Sequence, residues 1–335
     1  MGKKSKNWLW PIFSLALGVA SWYASSGTTI HAGQEDASPD YRTWGEDHVG
    51  QELPEYTTGT ECLFCHRDYV APRWRMNAHN RTMRLAEPDD PAMKSIHQDA
   101  DRQTIARETE ILLGAHQIVR YMKKLPGYGE AAISGELWNG AHPSIRDADR
   151  AGWHLQKFNE KCAGCHATAI DPSTASFGSP SLDCYVCHGV LELEHAQQTD
   201  QTLFAKKHAD DPRVVTSVCG QCHLRGGRSK SSGRPFPTLF VAGDNLFRDF
   251  EVDWSDEALV QMDRVDRHIF ENARDVMTRS STTTCATCHS VHGESSSKHQ
   301  ELSVDQSCEV CHPPGKPWSE VDWPKDRKSK TCEYP

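Results

Sequence analysis

Apolar positions are sparse along this 335-residue chain and gather in a few short groups. The longest run is Trp8 to Ala24, WLWPIFSLALGVASWYA, preceded by Lys3, Lys4 and Lys6. A basic start and an apolar stretch describe a secretion signal or a single membrane anchor. Its length stands at the lower limit for crossing a bilayer. Trp8 and Trp10 at one end, with Trp22 and Tyr23 at the other, resemble interfacial belts and favour an anchor, whereas Gly18-x-Ala20 offers a cleavage site for a signal peptide. Residues 25–60 are polar, with little periodicity, and read as a flexible linker in which His31 and His48 are solvent-exposed.

Three later stretches carry periodicity. RDYVAPRWRMNAHNRTMRLAE, Arg67 to Glu87, predicts a helix ended by Pro88. Gln117 to Trp138 has partly alternating apolar residues around a Leu-Pro-Gly-Tyr-Gly break and predicts a small β-hairpin, or else a helix, turn and strand. From Asp256 to Met277, Leu259, Met262, Val265, Ile269, Phe270, Ala273 and Met277 recur at helical spacing. The Gly/Ser/Arg stretch from Leu224 to Pro237 reads as a solvated turn, with a partner or an acidic cofactor group as alternatives facing it.

The cysteines change this picture. The chain has 13 Cys and 18 His. Twelve of the cysteines fall in six C-x-x-C-H motifs: Cys62, Cys65 and His66; Cys162, Cys165 and His166; Cys184, Cys187 and His188; Cys219, Cys222 and His223; Cys285, Cys288 and His289; Cys308, Cys311 and His312. Chance would supply roughly 0.03 such motifs at this composition. The motif is that of covalent c-type haem attachment. On one turn of helix the two thiols and the histidine share a face, so the thiols can bond the haem vinyl groups while the histidine coordinates iron. Paired disulfides or zinc would leave the invariable following histidine unexplained. Cys332 has no partner in this pattern and reads as a free or peripheral thiol.

Six haems explain why only 37% of residues are hydrophobic and why the mean hydropathy is −0.65. The cofactors supply apolar surface that aliphatic side chains would otherwise provide. The expected fold is mainly α with much irregular structure, wrapped around packed haems, with the small hairpin between motifs one and two. Its parts are an anchor or signal peptide (1–24), the linker (25–60), a hexahaem domain (61–315) and a loose tail (316–335). The net charge of −9 argues against nucleic acid and for basic or locally positive redox proteins, as donors and acceptors.

Each iron needs a sixth ligand or keeps an open face. Ten histidines outside the motifs and linker are available: His79, His97, His116, His142, His154, His195, His208, His268, His292 and His299. Of these, His79, His116, His154, His195, His268 and His292 are the candidates. His292 follows His289 by three residues, too close to reach the opposite face of the same haem, and so points to a neighbouring iron. The same argument applies less tightly to His195 after His188. Met277 is a substitute for one histidine.

CLFCH followed by W-x-x-x-x-H, then CAGCHAT, LDCYVCHGVLELEH, CGQCH and TCATCHSVHG, resembles the doubled-CXXCH multihaem cytochromes. These are related to the group containing multihaem nitrite reductases and hydroxylamine oxidoreductases. The resemblance covers residues 61 to about 312 and implies a largely helical fold around close-packed haems, with His195 and His292 as distal ligands. The lysine-ligated catalytic haem of the pentahaem nitrite reductases has no counterpart, since all six motifs end in His. The leading expectation is therefore an extracytoplasmic cytochrome that relays single electrons. The alternatives are a multihaem oxidoreductase acting on a small nitrogen or sulfur compound at one open haem, and an anchored cytochrome taking electrons from membrane quinol.

Overall fold

The computed structural model describes residues 48–127, 129–140, 143–147, 151–155, 157–171, 173–174, 176–189, 191, 195, 211–279, 284–287 and 289–293. Residues Met1–Ala37 and Ser38–Pro335 form separate units, and every described residue belongs to the second. The Trp8 to Ala24 segment, His31, His142, His208, His299, Cys288, the sixth motif and Cys332 all lie outside the described residues. Among those that are described, no helix is long and apolar enough to cross a membrane.

The chain enters α1 (Gly59–Cys65), which carries the first motif, and then α2 (Ala71–Trp74). The single helix expected over 67–87 is corrected: it stops at Trp74, gives way to a 3-10 turn at His79–Arg81 and becomes strand β1 (Met83–Leu85). The reason is local competition for the backbone. The buried Asn77 accepts the His79 amide through Oδ1 at 2.9 Å, as short polar side chains do when they replace a helical bond. Met83–Leu85 then finds its partners in β2 instead.

Between motifs one and two lies a six-stranded antiparallel sheet, where the sequence predicts only a small hairpin. Strands β1, β2 (Ile111–Leu113), β3 (Ile118–Lys124), β4 (Ala131–Asn139) and β5 (Ser144–Asp147) follow in order, and β6 (Trp153–His154) pairs with the other half of β4. The hairpin turn itself is present: Leu125 N donates to Glu130 O at 3.1 Å, and Gly129 takes φ 69°. The remaining strands escape period-two analysis because both faces of the sheet are covered. Helices α3 (Pro91–His97) and α4 (Gln103–Glu108) place Ala92, Met93, Ile96 and Ala106 against Leu112, Val119, Tyr121 and Trp138. On the other side Met83, Ile111, Leu113, Met122 and Ile133 meet Phe158, Ala163 and Ala167. Those last residues come from α5 (Lys157–Lys161), α6 (Ala163–His166) and the start of β7 (Ala167–Ile170), the second motif and its flanks. The sheet is thus the floor on which motif two stands.

Asp90 fastens this unit. Its Oδ1 caps α3 through the Ala92 amide at 2.9 Å, and its Oδ2 accepts from Arg84 Nε at 2.8 Å. The two side chains are 9% and 14% exposed, so removing the carboxylate strands a desolvated guanidinium. Asp90→Ala is expected to cost about 3 kcal/mol. Asp90→Asn, which keeps the cap, should recover about 1 kcal/mol of it. Denaturation midpoints followed by far-UV circular dichroism read both effects.

Strand β8 (Phe177–Pro180) pairs with β7 and leads to α7 (Cys184–His188), the third motif. Helix α8 (Pro212–His223) ends in the fourth motif. The helix expected over 256–277 is two: α9 (Asp256–Val260) and α10 (Arg264–Arg279). Asp263 separates them, its Oδ1 accepting the Val265 and Asp266 amides at 2.9 Å each. Val214 and Val218 of α8 pack with Phe270, Ala273, Val276 and Met277 of α10 and with Leu246, Phe247 and Phe250. Met277 is therefore a core residue. The stretch expected to be a solvated turn is instead tied down: the Ser229 hydroxyl is buried and donates to Asp249 Oδ2 at 2.7 Å, and Arg228–Ser229 pairs with Phe250–Glu251.

Candidate haem sites

Four described motifs sit at helix ends, and the fifth begins in a 3-10 turn at Cys285–Thr287. Each places a histidine one helical turn beyond its first cysteine. His66 N donates to Cys62 O and His289 N to Cys285 O, both at 3.0 Å. None of the nine described cysteines is in a disulfide: Cys62, Cys65, Cys162, Cys165, Cys184, Cys187, Cys219, Cys222 and Cys285. Gly164, inside motif two, allows a close approach; a Cβ there would stand 2.1 Å from the fully buried Phe236 ring.

The motifs meet through their thiols. Cys165 Sγ lies 3.9 Å from Cys222 O, and Cys222 Sγ lies 3.8 Å from Gly164 O, so motifs two and four touch reciprocally. Cys62 and Cys184 share a thiol hydrogen bond, which pulls the Cys62 thiol down to about 7 and pushes Cys184 up. Cys219 and Cys285 share another, raising Cys219 and lowering Cys285. These contacts join motif one to three, two to four and four to five. With haem attached these sulfurs would be thioethers, and the contacts would lie where neighbouring cofactors come together.

The histidine rings form a second set of links. The His66 and His195 ring centres are 6.3 Å apart at 17°, those of His188 and His292 5.8 Å apart at 10°, and those of His79 and His223 6.2 Å apart at 90°. Each pair joins a motif histidine to a histidine that follows another motif. Direct ring packing alone also falls in this range. Trp74 and His79, with no metal between them, stand at 6.4 Å and 15°. A shared metal would give the same spacing: with a bond of about 2.0 Å to each nitrogen, two imidazoles on opposite sides of it would have ring centres about 6.2 Å apart whatever their relative rotation. The residues present therefore fit iron held between two imidazoles at three motifs.

Burial supports that chemistry. It pushes His166 and His188 down to about 4, and His292 below its ordinary value, with His66 contributing to the last two of these shifts. The rings are therefore neutral near pH 7, as metal ligation requires. At His79, Nδ1 lies 3.2 Å from Asn77 Oδ1, which directs Nε2 outward, and Trp74 flanks the ring at 6.4 Å and 15°.

The other candidates are placed differently. His116 is exposed beside Arg81 and Arg84, His154 is on β6 opposite Ile133, and His268 is exposed on α10 near Asn272. The three ring pairs above do not include His116, His154, His268 or His166. His97 is exposed at the end of α3. His48, expected in solvent, is instead 19% exposed and its Nδ1 lies 2.5 Å from Asp244 Oδ2. Sequence reasoning also passed over Asn77, whose Nδ2 donates to Val291 O at 2.9 Å and to Gly293 O at 2.6 Å. One buried amide thus holds the backbone on both sides of His292 and the turn that carries His79.

No protein-family model and no curated protein matches the chain. Two solved structures resemble it. One is the crystal structure of the outer cell wall cytochrome OcwA, at 18% identity and a TM-score of 0.51 over 79% of this chain and 63% of that one. The other is an undecaheme cytochrome from the S-layer of Carboxydothermus ferrireducens, at 17% identity and 0.44 over 79% and 44%. The chain spans less than two thirds of either. The likeness to OcwA shows a shared fold, one in which helices and antiparallel sheets occur together.

Proposed function

We propose that the chain is an extracytoplasmic hexahaem c-type cytochrome that relays single electrons between redox proteins. The observation that carries this reading is the set of three histidine pairs with ring centres 5.8 to 6.3 Å apart, each joining different motifs. Haem, when bound, supplies a one-electron iron couple and the apolar surface the composition lacks. The chain supplies everything else. Two imidazoles held on one haem iron would leave it no coordination site for substrate, which favours transfer over turnover. Cross-ligation would pin neighbours together: His195 follows motif three and would serve motif one, His292 follows motif five and would serve motif three, and His79 follows motif one and would serve motif four.

The links are not sequential. Motif three meets motif one through Cys184 and His195 and motif five through His292; motif four meets one, two and five through His79, Cys222 and Cys219. Among these links motif four, with three neighbours, is the branch point, motifs one, three and five have two each, and motif two is reached through four. The remaining irons draw on His116, His154, His268 or a histidine outside the described residues. Kinship with the doubled-CXXCH cytochromes, and a place outside the cytoplasm like that named for the two similar structures, belong to the same proposal. So does anchoring by residues 8–24.

Intact mass spectrometry of the protein matured with haem attachment working tests this directly. The mass should carry six haems on twelve cysteines, with Cys332 unmodified, and the same spectrum reports whether the first 24 residues remain. An unmodified polypeptide would overturn the reading.

A further inference from the structure

Asp183 immediately precedes motif three, and its carboxylate serves two helices. Oδ1 accepts the Tyr185 amide at 3.0 Å and caps α7. Oδ2 accepts the Gly59 amide, the first of α1, at 3.3 Å, and the Tyr56 hydroxyl as well. Gly59 permits this: a Cβ there would lie 2.9 Å from the Asp183 Cβ. From the other side Thr168 Oγ1 accepts the Asp183 amide at 3.1 Å, and the Tyr56 and Tyr185 rings meet edge-on at 5.5 Å. One half-buried carboxylate therefore stands where the helices of motifs one and three converge, beside the paired Cys62 and Cys184. Its charge is felt at Cys62, Cys184 and Cys187.

We infer that Asp183 is a positioning and potential-setting residue for the irons of motifs one and three. The inference rests on the proposed function. Burial pushes the Asp183 carboxyl above its ordinary value, and the three neutral donors act against that by favouring its charged form. A negative charge held where the two motif helices converge would favour the ferric over the ferrous state of haems attached there, weakly screened because the site is half-buried. Both midpoint potentials are thereby held down together, while motif four, which does not share this carboxylate, is left as it is.

Ring angles make the test specific to particular irons. Near-parallel imidazole planes, as at motifs one and three, push on the same iron d orbital and split the d pair, giving rhombic low-spin ferric signals. Perpendicular planes, as at motif four, push on both equally and give a strongly anisotropic signal. In a redox titration of the holoprotein followed by electron paramagnetic resonance, Asp183→Asn should move both rhombic signals to higher potential and leave the anisotropic one in place. Measured well above neutral pH, where the carboxyl stays ionised, Tyr56→Phe, which withdraws a donor from the carboxylate, should move the same two signals the other way and serves alone if Asp183→Asn fails to mature. Rhombic signals that stay put, or three signals that shift together, would overturn the role of Asp183 while leaving the relay intact. Wild-type protein carrying haem but lacking the rhombic pair would overturn the ligand pairing first, and this inference with it.

Discussion

His195→Gly should convert one of six haems from low-spin to high-spin and leave the other five unchanged. The ring is one member of the pair with His66, at 6.3 Å, and comes from the segment following motif three. Removing it opens the far face of the iron at motif one without touching Cys62, Cys65 or His66. One rhombic ferric signal should disappear, a high-spin signal of equal spin count should replace it, and the reduced variant should bind one equivalent of carbon monoxide. His79→Gly should behave in parallel but at the expense of the anisotropic signal, since its ring is perpendicular to that of His223. A His195 variant with an unchanged spectrum would mean that the 6.3 Å pair is ordinary ring packing.

Asn77→Ala should disturb two irons at once from a residue that touches neither. The amide donates to Val291 O and Gly293 O on either side of His292, and its oxygen receives the His79 amide. Truncation leaves two carbonyls without their donor, at about 1–3 kcal/mol for each that stays dry. It also releases the two histidines that face His188 and His223. The expected outcome is lower thermal stability together with loss of one rhombic signal and the anisotropic signal, both recovered in large part by Asn77→Gln only if the longer side chain still reaches both carbonyls. Stability that falls with all low-spin signals intact would show Asn77 to be a structural residue alone.

The chemistry was legible in the sequence because haem attachment is written in five consecutive residues. The placement of His292 beside another motif was also legible, since three residues cannot carry a side chain from one haem face to the other. The sheet was not. Met83–Leu85 and Ile111–Leu113 are three residues each, too short for periodicity, and β4 is buried along most of its length, so alternation is missing. Met83–Leu85 was further hidden in a stretch whose apolar spacing suits a helix, until Asn77 takes the backbone out of it. The expectation of a small hairpin between motifs one and two fell short of the six-stranded sheet for that reason. His48 and Asp183 carry no local signal beyond an Asp before a helix: the partner of His48 is 196 residues away, and Asp183 closes on Gly59 from 124 residues away.

The central claim is that side chains, not solvent or substrate, fill both axial positions at the irons of motifs one, three and four. Electron paramagnetic resonance of the fully oxidised holoprotein measures this most directly. The account predicts two rhombic low-spin signals and one strongly anisotropic low-spin signal, each integrating to one spin per protein. A high-spin ferric signal in place of any of these three would contradict it.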